Sequence, residues 1–495
     1  MWETLIYNIS PKSNVATRYN ILFAILVFIF FFIFYSVLHP LVPIDLDDWS
    51  FIVKNRIFLP LWGDRNPAKI FPEFLYPLMS SIGAYVIYPL NNDYLQSQCI
   101  IHAIVVSLSI TGYALSFLHF IRRKFELSAS TAYMLSILFL MLHFLIFRTE
   151  ESNNIYMFYA NDVNCYYNYI ISDLLCASLV LSLLSNDWLK LKFQPTFKNS
   201  IIIVLLYLAI CSNLYSSIII GGYIVSNLII DLINCICVDK NYIDYFKLNI
   251  KKIIVVSCWM IVHLFEASGQ RAKESFDTQA PLFESIPLTL FHINDIYISK
   301  VFLLFFAITF IFYLYSFLKK QNNTIYNKIL LSSFICFIYI VILSANVDPI
   351  YITGNSGNFS FFFYLLLFIC IVLVTIIQNI NKLIILLPFA ILLTYSFINR
   401  SSNTFCDIWK QYSYKTLFDI TQNNVNNIIS ADKANIKSIE ITIPQFNNSD
   451  NWPLNITLDY SNALYKHNVI KRYVKVKLIK GRGISEWNDS VQSCK

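Results

Sequence analysis

Repeated apolar runs of about 20 residues constrain this chain more than any other feature, since a helix of that length spans the hydrocarbon core of a bilayer. Eleven stretches read this way: 21–38, 99–121, 131–147, 163–185, 200–213, 217–238, 253–268, 300–318, 329–345, 359–378 and 382–399. The run 200–213 is short for a span. Lipid offers no partner to a backbone N–H or C=O, so runs that cross it become helices. Composition agrees, because only 14% of the 495 residues are charged, against about a quarter in soluble domains. The expected fold class is an all-α polytopic membrane protein with about 11 transmembrane helices.

Charge then orients the spans. With the N-terminus cytoplasmic, the inner segments hold sixteen Lys and Arg, the outer loops eight, and the tail after Ile398 the remaining thirteen. This bias places the first loop, 39–98, and the tail on the outer face. It requires that 74–90 not cross. That stretch carries Pro77 and Gly83, ends at Pro89, and reads as a surface or re-entrant helix. A crossing there would put Arg122-Arg123-Lys124 outside. The net charge of +7 is spread over loops, which argues against nucleic acid. The N-terminus has no small-residue cleavage pattern, so the first run is expected to stay as a helix.

The tail, 400–495, is polar and rich in Asn and Lys. A helix is expected over 408–429. Ser438 to Ile443 alternates like a strand and stops at Pro444, and Tyr473 to Leu478 alternates too. These elements suggest a small C-terminal α/β domain, 400–495, behind a membrane module, 1–399. Nine of eleven Cys lie in or beside apolar runs and read as core residues. Cys406 and Cys494 are candidates for a disulfide in an oxidising compartment. Lys480-Gly481-Arg482-Gly483 reads as an exposed turn. No internal repeat is visible, which weakens a transporter reading.

The densest chemistry follows the first run. After His39-Pro40-Leu41-Val42-Pro43-Ile44, whose prolines end the helix, comes Asp45-Leu46-Asp47-Asp48-Trp49. A carboxylate at the membrane boundary is partly desolvated, which raises its pKa and makes it a better proton acceptor. Asp45, Asp47 and Asp48 are therefore candidate catalytic acids. Arg56 follows, then Trp62-Gly63-Asp64-Arg65-Asn66-Pro67-Ala68-Lys69 and Glu73. Arg56, Arg65 and Lys69 suit a phosphate clamp, and Trp49, Trp62 and Glu73 are substrate-facing candidates. The second outer loop adds Glu150, Glu151 and Asp162, any of which suits a second carboxylate that orients an acceptor or holds a metal. A later outer loop has Glu266, Arg271 and Lys273, and the two cations there can supplement the clamp. His102, His119, Asp173, Asp231 and His263 fall inside spans, where ionisable groups are functional candidates by default, although they are scattered. No Ser/His/Asp order, phosphate-binding glycine loop or HExxH occurs.

One span, an acidic motif at once on the outer face, about ten more spans and an outer tail resemble the GT-C superfamily of membrane glycosyltransferases. Asp47-Asp48-Trp49 followed by Trp62-Gly63-Asp64-Arg65-Asn66-Pro67 looks most like the bacterial serotype-converting O-antigen glucosyltransferases. The likeness is best over the first 100 residues, and the spans and tail add no specific motif. The resemblance implies a polyprenyl-phosphate-linked sugar donor and an O-antigen or other lipid-linked glycan acceptor. Transfer would occur at the periplasmic face of the bacterial inner membrane, with inversion at the anomeric carbon. It implies Asp47 or Asp48 as general base, with Asp-Asp where Asp-Glu is common in the superfamily, so which acid serves stays open. Cations would offset charge on the leaving phosphate. No cofactor is required, and a single phosphate demands no divalent metal. The alternatives are an O-antigen polymerase, which relies on basic outer loops, and a flippase or transporter of lipid-linked sugars, which relies on Asp173 and Asp231.

Overall fold

The apolar runs form helices in a computed structural model, which describes residues 13–147, 155–189, 197–239, 241–278, 281–318, 324–354, 356–379, 391, 414–445 and 459–483. Among these residues nine helices are long and apolar enough to cross a membrane. The count departs from eleven for three reasons. The runs at 131–147 and 200–213 form shorter helices, Ala129–Leu145 and Asn199–Ile210. Residues 382–399 fall outside the described set except for residue 391. Ile70–Asn91 joins the long helices.

In chain order the helices of the bundle are α1 (Ser13–Ile33), α2 (Leu46–Phe51), α3 (Ile70–Ile82), α4 (Tyr94–Phe125), α5 (Ala129–Leu145), α6 (Ser172–Ser185), α7 (Phe197–Ile210) and α8 (Leu214–Asn234). They continue with α9 (Tyr242–Ala267), α10 (Gln270–Thr278), α11 (Leu282–His292), α12 (Lys300–Leu318), α13 (Thr324–Val347) and α14 (Phe359–Asn379).

The spine is α4, with 32 residues and a length of about 48 Å at 1.5 Å per residue. At its basic end Arg122 donates to Asn20 of α1 at 3.1 Å. At the opposite end, which carries the acids, Gln98 donates to the Ser80 carbonyl at 3.0 Å and the His102 ring lies 5.2 Å from that of Tyr76. These contacts pack α3 against the first turns of α4. Pro77 and Gly83 lie within this segment without ending it. Helix continues through Pro77, then passes through a π-helical stretch, Gly83–Ile87. Glycine is required there, because a Cβ at position 83 would meet Ile101 Cγ2 at 2.9 Å and Gln98 Nε2 at 3.1 Å.

The tail holds α15 (Tyr414–Lys433), β1 (Ser438–Gln445), α16 (Asp459–Lys466) and β2 (Lys475–Gly483). The strands pair in parallel, with Ser438 opposite Lys475, so a crossover is needed, and α16 lies on it. β1 runs past Pro444 because the register shifts between Ile443 and Gln445, where a missing N–H is tolerated. β2 extends through 480–483, which corrects the expected turn there. Ile441, Val474 and Val476 are buried in the same continuous apolar cluster as the bundle. The rings of Trp49 and Tyr460, 4.3 Å apart, join the tail to α2. Cys406 and Cys494 lie outside the described residues.

Candidate site at the acid end of the bundle

The turn that follows the first span is built by carboxylates. Asp45 caps α2, accepting from the Leu46 N–H at 2.6 Å. Asp48, at the third position of α2, returns the contact and completes a capping box. Its Oδ2 accepts from the N–H groups of Ile44 at 2.8 Å and Asp45 at 3.2 Å. Its Oδ1 accepts from the N–H of Asn164 at 2.7 Å, 116 residues further along. Asp162 caps the start of the next span, accepting from the Cys165 N–H at 2.7 Å. Two helix N-termini are therefore tied together through carboxylates that lie in reach of one another.

Burial, and then the charge of Asp162, holds the Asp48 carboxyl well above the usual carboxylate range, with the N–H donors opposing. Asp162 is pushed up to about 6, chiefly by burial, with Cys165 opposing and Asp47 adding to the rise. Asp47 itself is exposed on α2. Of the acid pair, the exposed member is the one open to a reactant, and Asp48 is fully buried and committed to backbone. Trp49 is also fully buried, donating to the Pro43 carbonyl at 3.0 Å, so it faces the core and not a substrate.

The cations divide in the same manner. Arg56 binds Glu73 at 2.7 Å, Asp64 at 3.4 Å and the Pro67 carbonyl at 2.7 Å. The side chains of Arg56 and Glu73, expected as a clamp and a substrate contact, are buried and brace the first loop against each other. Lys69 sits within electrostatic reach of Arg271, Glu266, Glu73 and Cys165, and burial, then Arg271, lowers its pKa. The backbone N–H of Ala68 donates to Glu266 at 2.9 Å. Residues 64 and 65 dock on the start of α10, where Gln270 N–H donates to the Asp64 carbonyl at 3.1 Å. A Cβ at Gly269 would meet that oxygen at 2.9 Å, so glycine is needed for the approach. Trp62 is largely exposed and sets its ring edge-on to Phe265 at 5.0 Å. Arg65, Arg271 and Lys273 present exposed side chains. A recess of about 10 Å³, room for one water, is lined by Lys69, Ser212, Asn213 and Glu266 among others.

The structure thus brings Asp47, Asp48 and Asp162 together, and beside them Lys69 and Arg271, with Cys165 between the two groups. Glu150 and Glu151 lie outside the described residues. Sequence reasoning missed Asn164, Cys165 and the Ser212–Asn213 turn. Asp162 three residues before Cys165 was a usable helix-cap signal. Among the described residues, no group of three or more His, Cys, Asp or Glu is placed to hold a metal ion. No protein-family model, curated protein or solved structure matches this chain.

Proposed function

We propose that the chain is an inverting membrane glycosyltransferase that moves a sugar, glucose by resemblance, from a polyprenyl-phosphate-linked donor to a hydroxyl of a surface glycan. The observation that supports this reading is that an exposed acid, Asp47, lies near buried Asp162, and that Cys165 lies within reach of both Asp162 and Lys69, which has Arg271 beside it. Asp47 takes the proton of the acceptor hydroxyl as its oxygen attacks the anomeric carbon. The bond from that carbon to the phosphate oxygen breaks, and the phosphate leaves with the electron pair. Arg271, Lys69 and Arg65 offset the growing phosphate charge, where fixed cations count most. Asp48 is a positioning residue, since it fixes both helix starts. In this reading the acid end faces the periplasm and the N-terminus faces the cytoplasm of a bacterial inner membrane.

The test uses the full chain in vesicles with synthetic polyprenyl-phosphate glucose and an O-antigen acceptor. Mass spectrometry of the acceptor reads the product. The expected result is a gain of one hexose that disappears in Asp47→Asn. Lengthening of the acceptor by whole repeats would instead identify a polymerase, and unmodified acceptor with every polyprenyl-phosphate sugar tried would overturn the proposal.

A further inference from the structure

Asp173 lies near the middle of the helical run Val163–Ser185 and is fully buried. Among the described residues its carboxylate oxygens meet no backbone donor and no cation, and the polar group that faces them is the equally buried hydroxyl of Ser216 on α8. An uncompensated carboxylate in such surroundings costs several kcal/mol, and among the described residues no cationic side chain pairs with it. The titratable neighbours are Tyr113 on α4 and Cys176 on α6, with Tyr364 of α14 next to Cys176. None of these brings positive charge.

A second feature points the same way. α7 has only 14 residues and ends inside the bundle, one helical turn along α6 from Asp173. Its Ala209 carbonyl takes the Ser212 hydroxyl at 2.7 Å and the Cys176 thiol at 3.6 Å. Cys176 is three residues from Asp173 and so shares its face. A helix C-terminus carries partial negative charge, so the end of α7 adds to the negative potential around Asp173. Oxygen donors in an anionic, dry site favour a small hard cation.

We infer that Asp173 and Ser216, under the C-terminus of α7, form an intramembrane site for one small monovalent cation, Na⁺ or a proton. The two share one chemistry, since Na⁺ binding displaces the carboxyl proton to water. The site stands apart from the transfer proposed at the acid end and does not depend on it.

The experiment uses the full chain in vesicles, with Na⁺ alone as the probe. Radiolabelled Na⁺ binding is measured together with the infrared carboxyl C=O band of the protein. Saturable binding of one Na⁺ per chain, lost in Asp173→Asn and weakened in Ser216→Ala, identifies a sodium site. A protonated-carboxyl band without Na⁺ binding identifies a proton site, provided that it is absent in Asp173→Asn and titrates away as pH rises. Both readouts work on the unaltered chain, so a variant that misfolds does not decide the matter. An Asp173 band that moves with neither Na⁺ nor pH makes Asp173 an inert neutral acid and overturns the inference.

Discussion

Asp48 and Asp173 are both fully buried acids, yet their surroundings differ. Asp48, at the acid end, accepts three backbone N–H groups from two distant segments. Asp173, inside the bundle, accepts none. Glu73 stands between them, buried but held by one guanidinium. Three buried carboxylates thus have three kinds of compensation, and the kind tells what each does. Donors from backbone make a carboxylate a structural brace, a side-chain cation makes it part of a loop clasp, and a carboxylate with neither is the one proposed to take a bound cation.

Replacing these acids separates the cases. Asp48→Ala orphans three buried donors, each worth about 1–3 kcal/mol, so a loss of roughly 5 kcal/mol is expected. Thermal unfolding in detergent reads it, and an unchanged midpoint would contradict the bracing role. Arg56→Met takes from buried Glu73 its hydrogen-bonded cation, for a loss of about 3 kcal/mol, while Arg65→Met leaves stability unchanged. Equal effects of the two substitutions would erase the distinction between brace and clamp.

Asp162 gives a smaller effect with a defined sign. Its folded pKa, about 6, lies above the ordinary aspartate value of about 3.9, so between these values the folded chain holds more protons than the unfolded one. Stability therefore falls as pH rises through that window, and it is greatest below it. Asp162→Asn flattens the slope, and a steeper slope in that variant would count against the assignment. Asp173→Asn in sodium-free buffer changes stability by less than about 1 kcal/mol, because it orphans no backbone donor or cation and the amide oxygen still accepts from Ser216. A loss as large as that of Asp48→Ala would mean that Asp173 has partners beyond Ser216. The smallest effect belongs to the exposed pair Glu440 and Lys477, 2.9 Å apart, where Lys477→Ala costs about 0.3 kcal/mol.

The helical bundle was legible because apolar length sets it, and eight of the eleven expected runs coincide with long apolar helices. Ile70–Asn91 was expected as a surface or re-entrant helix, and it is helical over a length that suffices for a span. The close approach of α4, which makes glycine necessary at position 83, is a tertiary fact. The acid motif stood out in the sequence, but Asp47 and Asp48 look alike as letters. The N–H groups of Ile44, Asp45 and Asn164, the last 116 residues away, separate a brace from an open acid. The Arg56–Glu73 pair was hidden for the same reason, since the two were read separately as a clamp and a substrate contact. Asp231 looked scattered beside Asp173, yet it pairs with Lys252 at 3.0 Å. Asp173 has no such partner.

The central claim is that Asp47 is the reacting acid and Asp48 its support. The rate of hexose transfer by Asp47→Asn tests it most directly, measured on protein whose unfolding midpoint matches that of the unaltered chain. A loss of about 100-fold or more at unchanged stability is predicted, as for removal of a general base. Full transfer by that variant would contradict the claim and remove the acid end from the chemistry.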